Sequence, residues 1–124
     1  MKIAIAADHR GLKVKDRVNG ILQSHGHEVV DVGTHSEEPV DYPDFGIKAS
    51  RMVADGKADR AVLVCWTGNG MGMAANKVKG ARAGIATNRD MAYFTRLHND
   101  ANVLVLGSKY IPDDKLEEVI MAFV

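Results

Sequence analysis

The sequence contains one cysteine in 124 residues, so no disulfide can close within a single chain. A reducing, cytoplasmic setting is the expectation that follows. Charge of one sign is missing too. Lys and Arg together number 16, and so do Asp and Glu. A nucleic-acid binder carries a basic surplus or stripe, and nucleic acid is therefore not an expected partner. Long hydrophobic runs are absent. The stretch Ala61 to Trp66 is among the longest, whereas a membrane-spanning helix needs about 20 apolar residues. The amino terminus leads straight into a short apolar strand that ends at Asp8-His9-Arg10, without the apolar length and small-residue cleavage site of a signal peptide. No membrane partner is expected. No internal repeat, low-complexity tract or linker divides the chain. Apolar residues at 46% and charged residues at 26% are ordinary for a soluble globular protein, and this length suits one domain, residues 1–124, around a single core.

Short apolar runs alternate with segments of helical period. Lys2 to Ala7 reads as a buried strand. Leu12 to His25 follows, with Val14, Val18, Ile21 and Leu22 at helical spacing and Gly26 placed to end it. His27 to Val32 is a second strand and Gly33 to Asp41 a loop. Asp41-Tyr42-Pro43-Asp44 marks a helix start, with an acidic cap and proline in the first turn. Phe45, Ala49, Met52 and Val53 share one face of that helix, and Gly56 closes it. Arg60 to Cys65 is a third strand, followed by a glycine-rich turn and a helix from about Gly70 to Val78. Ala81 to Ala86 is a fourth strand, and Thr87 or Asn88 caps a helix to about His98. Val103 to Leu106 is a fifth strand. Pro112 opens a last helix with Leu116, Val119, Ile120 and Phe123 on one stripe. Near-continuous apolar strands alternating with helices predict a five-stranded parallel sheet covered on both faces. With right-handed crossovers this is a three-layer α/β/α, Rossmann-like domain. Ligands of such sheets bind at the carboxyl ends of the strands, which directs attention to the loops after residues 7, 32, 65, 86 and 106.

The loop after the third strand, Cys65-Trp66-Thr67-Gly68-Asn69-Gly70-Met71-Gly72, carries the strongest chemical signal. Its glycines let consecutive backbone N–H groups approach a ligand, and the helix that follows adds unpaired donors and a partial positive charge. The alternative is a tight strand-to-helix turn and nothing more. No Gly-Lys-Ser/Thr follows, so it is not a Walker loop, and Met73 occupies the third glycine position of a dinucleotide fingerprint counted from Gly68. A small oxyanion or a sugar suits it better than a nucleotide.

Cys65 ends the strand beside these donors. A thiol at a helix N-terminus can serve as base or nucleophile, whereas a strand-end cysteine elsewhere is commonly an inert core residue. Asp8 and His9 follow the first strand at the same end of the sheet. They can hold a ligand hydroxyl, or Asp8 can simply cap the next helix. His98-Asn99-Asp100-Ala101-Asn102 is a polar cluster ending the fourth helix, where a histidine also complements the helix dipole.

Several motifs occur in register: Asp8-His9-x-Gly11, Gly26-His27-Glu28-Val29, Asp31-Val32-Gly33-Thr34, Val40-Asp41-Tyr42-Pro43-Asp44, Thr67-Gly68-x-Gly70, Ala75-Asn76-Lys77 and His98-Asn99-Asp100-Ala101-Asn102-Val103. Together they resemble the type-B ribose-5-phosphate isomerase family, which includes the galactose-6-phosphate isomerase subunits, over essentially the whole chain. The resemblance implies aldose–ketose isomerisation of a sugar phosphate through a cis-enediolate, with no metal or other cofactor, in a homodimer or a tetramer of dimers. By position it implies that Cys65 is the base between C1 and C2 and that His98 opens the sugar ring. Asp8, His9, Thr67 and Asn99 match sugar-contacting positions, and the backbone of Gly68, Asn69 and Gly70 matches the enediolate-stabilising loop. Lys109 falls where a phosphate-binding arginine is usual.

Three features depart from the family pattern. Trp66 stands where glycine is common, and it either folds away from the pocket, packing at an interface, or narrows the pocket and bears on which sugar fits. Met71 occupies the position of an acidic base found in some members, leaving Cys65 as the family-type base. The chain stops at Val124, inside the last helix, whereas the family usually continues into a segment with phosphate-binding arginines. Other readings therefore accompany the leading one: isomerisation of a different or unphosphorylated sugar, or a catalytically weak subunit of a heteromeric enzyme. Geometry adds an expectation. A helix of about eleven residues, running back from the carboxyl edge, carries His98 roughly 16 Å from that edge. His98 and Asn99 are thus expected to enter the site of a neighbouring subunit.

Overall fold

A computed structural model describes all 124 residues. The strands are β1 (Lys2–Ala7), β2 (Glu28–Gly33), β3 (Arg60–Cys65), β4 (Ala83–Ile85) and β5 (Val103–Gly107). The helices are α1 (Leu12–Ser24), α2 (Tyr42–Ala54), α3 (Asn69–Asn76), α4 (Arg89–Asn99) and α5 (Leu116–Phe123). The strands form one parallel sheet in the order β2-β1-β3-β5-β4, the expected α/β/α architecture.

Side-chain alternation along the three inner strands builds two separate cores. Ile3, Ile5, Val62, Val64, Leu104 and Leu106 face α1, α4 and α5. Ala4, Ala6, Ala61, Leu63, Cys65, Val103 and Val105 face α2 and α3. A strand buried on both faces has no polar side, which is why β1, β3 and β5 read as unbroken apolar runs. The α2/α3 face is lined by smaller side chains, and that lets these helices sit close to the sheet. No helix is long and apolar enough to cross a membrane.

Several boundaries differ from expectation. Asp41 precedes α2 at the cap position, but its side chain caps nothing. The backbone and Pro43 in the first turn set that start. Asn88, not Thr87, caps α4, accepting from the Met91 N–H at 2.9 Å. β4 is shorter than the apolar pattern because side-chain amides take over its beginning. The Arg82 N–H bonds Asn102 Oδ1 and the Ala83 N–H bonds Asn76 Oδ1, each at 2.8 Å. The same use of Asn76 accompanies the end of α3 two residues before Val78. Pro112 does not open a helix directly. A 3-10 turn, Asp113–Lys115, intervenes before α5.

One polar interaction pins α1 to β2. Lys15 is almost fully buried, and its ammonium lies 2.7 and 2.6 Å from the two carboxylate oxygens of Asp31. Asp31 also accepts from the Gly33 N–H at 3.0 Å. Breaking such a pair from one side strands a buried charge, which costs about 3–5 kcal/mol in a fully buried site. Asp31 is 25% exposed and water reaches it, so Asp31→Ala is expected to lose about 2–3 kcal/mol in chemical denaturation. Adding Lys15→Met to that variant should restore part of the loss. Equal stability of the single and double variants would show that the pair holds nothing.

Candidate active site

The centre of the site is the exit from β3. The alternation that buries Leu63 also turns Cys65 toward α2 and α3, where its side chain is 4% exposed. The chain must then reverse into α3. Gly68 does this in the left-handed region, at φ +89°, immediately before the helix. That conformation costs a side-chain-bearing residue free energy and costs glycine little. It also aims the Gly68 N–H back at the strand, where it donates to Cys65 Sγ at 3.1 Å. A thiolate accepts such a bond more strongly than a thiol does. The Asn69 N–H is taken by Thr67 Oγ1 at 3.3 Å. The next two N–H groups, of Gly70 and Met71, have no acceptor in the chain. They are the open donors of a helix N-terminus, and a developing oxyanion is what they suit.

Tyr42, at the start of α2, covers this turn. A Cβ on Gly70 would lie 2.8 Å from the tyrosine ring, so glycine there is what permits the contact. Tyr42 is 40% exposed and brings a phenol to the rim. Sequence reading took it only as part of a helix start. Its signal was its place inside a motif, without the spatial link to Gly70.

The loop after β1 forms a second wall. Its amide is hydrogen-bonded to β3, Asp8 N–H to Val64 carbonyl at 3.2 Å. Asp8 is buried, and its Oδ1 accepts from the N–H groups of Arg10 and Gly11, both at 3.0 Å. Asp8 therefore shapes its own loop and does not cap α1 with its side chain. Its other oxygen makes no hydrogen bond within the chain. His9 is half-buried, and Nδ1 accepts from the Val40 N–H at 3.2 Å. A backbone amide can only donate, so in the neutral ring the proton sits on Nε2, which becomes a donor.

The loop after β5 closes the third side. The Ser108 N–H bonds the Cys65 carbonyl at 2.8 Å, and the Lys109 N–H bonds the Trp66 carbonyl at 3.0 Å. Ser108 Oγ donates to the Arg10 carbonyl at 3.2 Å. Asp8, His9, Cys65, Trp66, Thr67, Gly68, Asn69, Gly70 and Lys109 thus gather around the carboxyl ends of three neighbouring strands. Ser108 and Arg10 belong to the same knot, and sequence reading missed both.

His98 and Asn99 are elsewhere. They end α4, which starts beyond β4 and runs back along the sheet. The Asn99 carbonyl accepts two bonds from the Arg82 guanidinium, at 2.9 and 2.7 Å, and Arg82 precedes β4 at the amino edge. His98 is exposed, with its ring 5.0 Å from that of Phe94. Within one chain, these two residues and Cys65 occupy opposite ends of the sheet.

A protein-family model described as ribose/galactose isomerase matches residues 3–124. Ribose-5-phosphate isomerase B of Escherichia coli is 41% identical over 110 residues, 89% of this chain and 74% of that protein. The solved structure of ribose-5-phosphate isomerase B from Clostridium thermocellum superposes with a TM-score of 0.97 at 45% identity, covering 99% of this chain and 83% of that one. The Mycoplasma genitalium ribose-5-phosphate isomerase B with bound ribulose-5-phosphate gives 0.93 at 36% identity, covering 98% and 82%.

The cradle's backbone is open to a direct check. In Gly68→Ala the new Cβ lies 3.3 Å from the Gly107 amide nitrogen, in a left-handed conformation. The expected cost is about 1–3 kcal/mol of stability, with a loss of activity that persists where the variant is fully folded. A folded, fully active variant would mean that the turn does not depend on glycine at this position.

Proposed function

Because the chain belongs to the ribose/galactose isomerase family and is a sugar-phosphate isomerase, we propose that it interconverts ribose 5-phosphate and ribulose 5-phosphate, with Cys65 as the base. The observation that carries this reading is the Gly68 N–H on Cys65 Sγ at 3.1 Å, beside unpaired N–H groups of the α3 N-terminus. Base and oxyanion donors share one turn, as proton transfer next to a carbonyl requires. In the open-chain aldose the thiolate takes the proton from C2. The C2–H electron pair forms the C1–C2 double bond, and the carbonyl pair moves onto O1. The cradle donors hold the resulting cis-enediolate. The C1–C2 double-bond pair then takes the proton back from the thiol at C1, while the O2 hydroxyl passes its own proton to O1, so that C2 becomes the ketone carbonyl and O1 a hydroxyl. A positioned base is worth about 10²–10⁴ in rate, and each oriented donor about 10²–10³.

The remaining roles follow from chemistry at the rim. The free oxygen of Asp8 accepts from a sugar hydroxyl, and His9 Nε2 donates to one. The Thr67 hydroxyl and the backbone of Gly68, Asn69 and Gly70 line the enediolate. Lys109 attracts the phosphate. Ring opening by His98, with Asn99 beside it, needs a second copy, because both lie at the other end of the sheet from Cys65. The exposed face of α4 supports such a homodimer: Met91, Tyr93, Phe94 and Leu97 are 41%, 43%, 44% and 60% exposed next to His98. Aromatic and methionine side chains left in water along a helix suit a subunit interface. A cytoplasmic setting agrees with the single free cysteine. Isomerisation of an unphosphorylated sugar would favour an indole filling the cradle, but Trp66 is 41% exposed beside Arg10 and Lys109.

Complementation tests the reading. Cys65→Ala and His98→Ala should each lower isomerisation of ribose 5-phosphate by about 10²–10⁴. Exchange of subunits between the two should restore about a quarter of native activity, since half of randomly paired symmetric dimers are mixed and each holds one intact site. Mixed dimers that form and stay inactive would rule out the shared site.

A further inference from the structure

The last carbonyls of a helix have no partner within it, and at the end of α4 they are held with unusual firmness. Asp100 turns in the left-handed region at φ +49°, and its N–H returns to the Arg96 carbonyl at 3.1 Å. The Arg82 side chain spends both Nε and Nη2 on the Asn99 carbonyl, at 2.9 and 2.7 Å. An arginine fork is shaped for a carboxylate, yet Arg82 enters no ion pair. Its own backbone is bracketed in turn. The Arg82 N–H donates to Asn102 Oδ1 at 2.8 Å, the Arg82 carbonyl accepts from the Asn102 N–H at 2.9 Å, and Asn102 Nδ2 donates to the Gly80 carbonyl at 3.0 Å. One turn back, α4 lies directly on β4, where a side chain on Gly84 would overlap Thr95 Oγ1. The backbone here is fixed while the side chains it carries are free. His98 and Asn99 are exposed, and neither side chain is hydrogen-bonded within the chain.

We infer that Arg82 is a positioning residue for ring opening in the neighbouring subunit: it fixes the backbone from which His98 and Asn99 reach the partner's sugar. This rests on the reading that His98 opens the ring and acts across subunits. Arg82 touches no substrate, because its fork is occupied on the Asn99 carbonyl. Charge-assisted hydrogen bonds are about twice as strong as neutral ones, and the cation also suits the carboxyl-terminal end of the helix dipole. In ring opening the O1 hydroxyl gives up a proton, its electron pair forms the C1 carbonyl, the C1–O4 bond breaks and O4 takes a proton. A side chain that moves those protons has to be placed closely, since an error of about 1 Å costs about 10²-fold in rate. A tether on the residue next to His98 supplies that placement without entering the pocket.

Arg82→Ala should lower isomerisation of ribose 5-phosphate by about 10-fold to 10²-fold. Ribulose 5-phosphate has its O5 esterified and therefore no ring to open. Deuterium entry from solvent at its C1 should stay near the native rate in the variant, and an equal loss in both measurements overturns the inference. Subunit exchange shows in which chain Arg82 acts. Mixed with Cys65→Ala, Arg82→Ala should recover about a quarter of native activity, because one site of each mixed dimer joins an intact base to an intact α4 end. Mixed with His98→Ala it should stay at or below its own rate, because both changes damage the same α4 end. Recovery with His98→Ala, or none with Cys65→Ala, overturns the inference. Arg82 is exposed, and Arg82→Gln, which keeps an N–H donor, offers the same comparisons with a milder loss should the alanine variant fold poorly. Cys65→Ala mixed with His98→Ala is the control. With that control positive, a failure belongs to Arg82 alone. With it negative, the shared site falls, and the contrast between ribose 5-phosphate turnover and ribulose 5-phosphate exchange still decides for or against Arg82.

Discussion

The hydrogen bond from the Gly68 amide to Cys65 sulfur constrains everything around it. It exists only because the chain turns through a left-handed residue one step before α3, and that turn leaves the Gly70 and Met71 amides unpaired. The turn in turn needs neighbours. Ser108 and Lys109 clasp the carbonyls of Cys65 and Trp66, and Tyr42 packs on Gly70. A parallel sheet of order β2-β1-β3-β5-β4 supplies those neighbours, because it sets the carboxyl ends of β1, β3 and β5 side by side. Fold and cradle are therefore one construction, and a change in strand order would dismantle the site.

The same topology separates what the proposed chemistry must join. An eleven-residue helix starting beyond β4 ends at the opposite edge of the sheet, held there by Arg82 on the Asn99 carbonyl. Ring opening and proton transfer act on one molecule of sugar. With His98 at one edge and Cys65 at the other, the proposed chemistry calls for two chains at one site, and the apolar side chains beside His98 offer a surface for that meeting. The phosphate end differs. Lys109 lies at the carboxyl edge with Cys65, so on the proposed reading the chain that supplies the base also attracts the anion, and its neighbour opens the ring.

Much of this was legible in the sequence because it depends on local pattern. Unbroken apolar runs in Ile3–Ala7, Ala61–Cys65 and Val103–Leu106 could only be inner strands, and glycines at 68, 70 and 72 marked the turn. The 1.5 Å rise of a helix sufficed to foresee that His98 lies far from Cys65. What stayed hidden depends on tertiary contact. The Asn76 and Asn102 amides that shorten β4 act from other elements. Tyr42 reaches Gly70 across a helix pair, and Arg10 meets Trp66 across two loops. Asp8 was open between ligand contact and capping, and only its bonds to Arg10 and Gly11 revealed that it braces its own loop. Asp41 has the residue type of a cap without making the bond, since type expresses a preference that local geometry can leave unused.

The central claim is that Cys65 carries a proton between two carbons of an open-chain sugar phosphate. Hydrogen exchange with solvent tests it most directly. Incubating the protein with ribose 5-phosphate in deuterium oxide and following the C2 and C1 positions by NMR should show deuterium entering both as aldose and ketose interconvert. Cys65→Ser, folded and able to bind inorganic phosphate, should show neither exchange nor isomerisation. Isomerisation that continues at the native rate in that variant, with deuterium still entering, would mean that another group is the base.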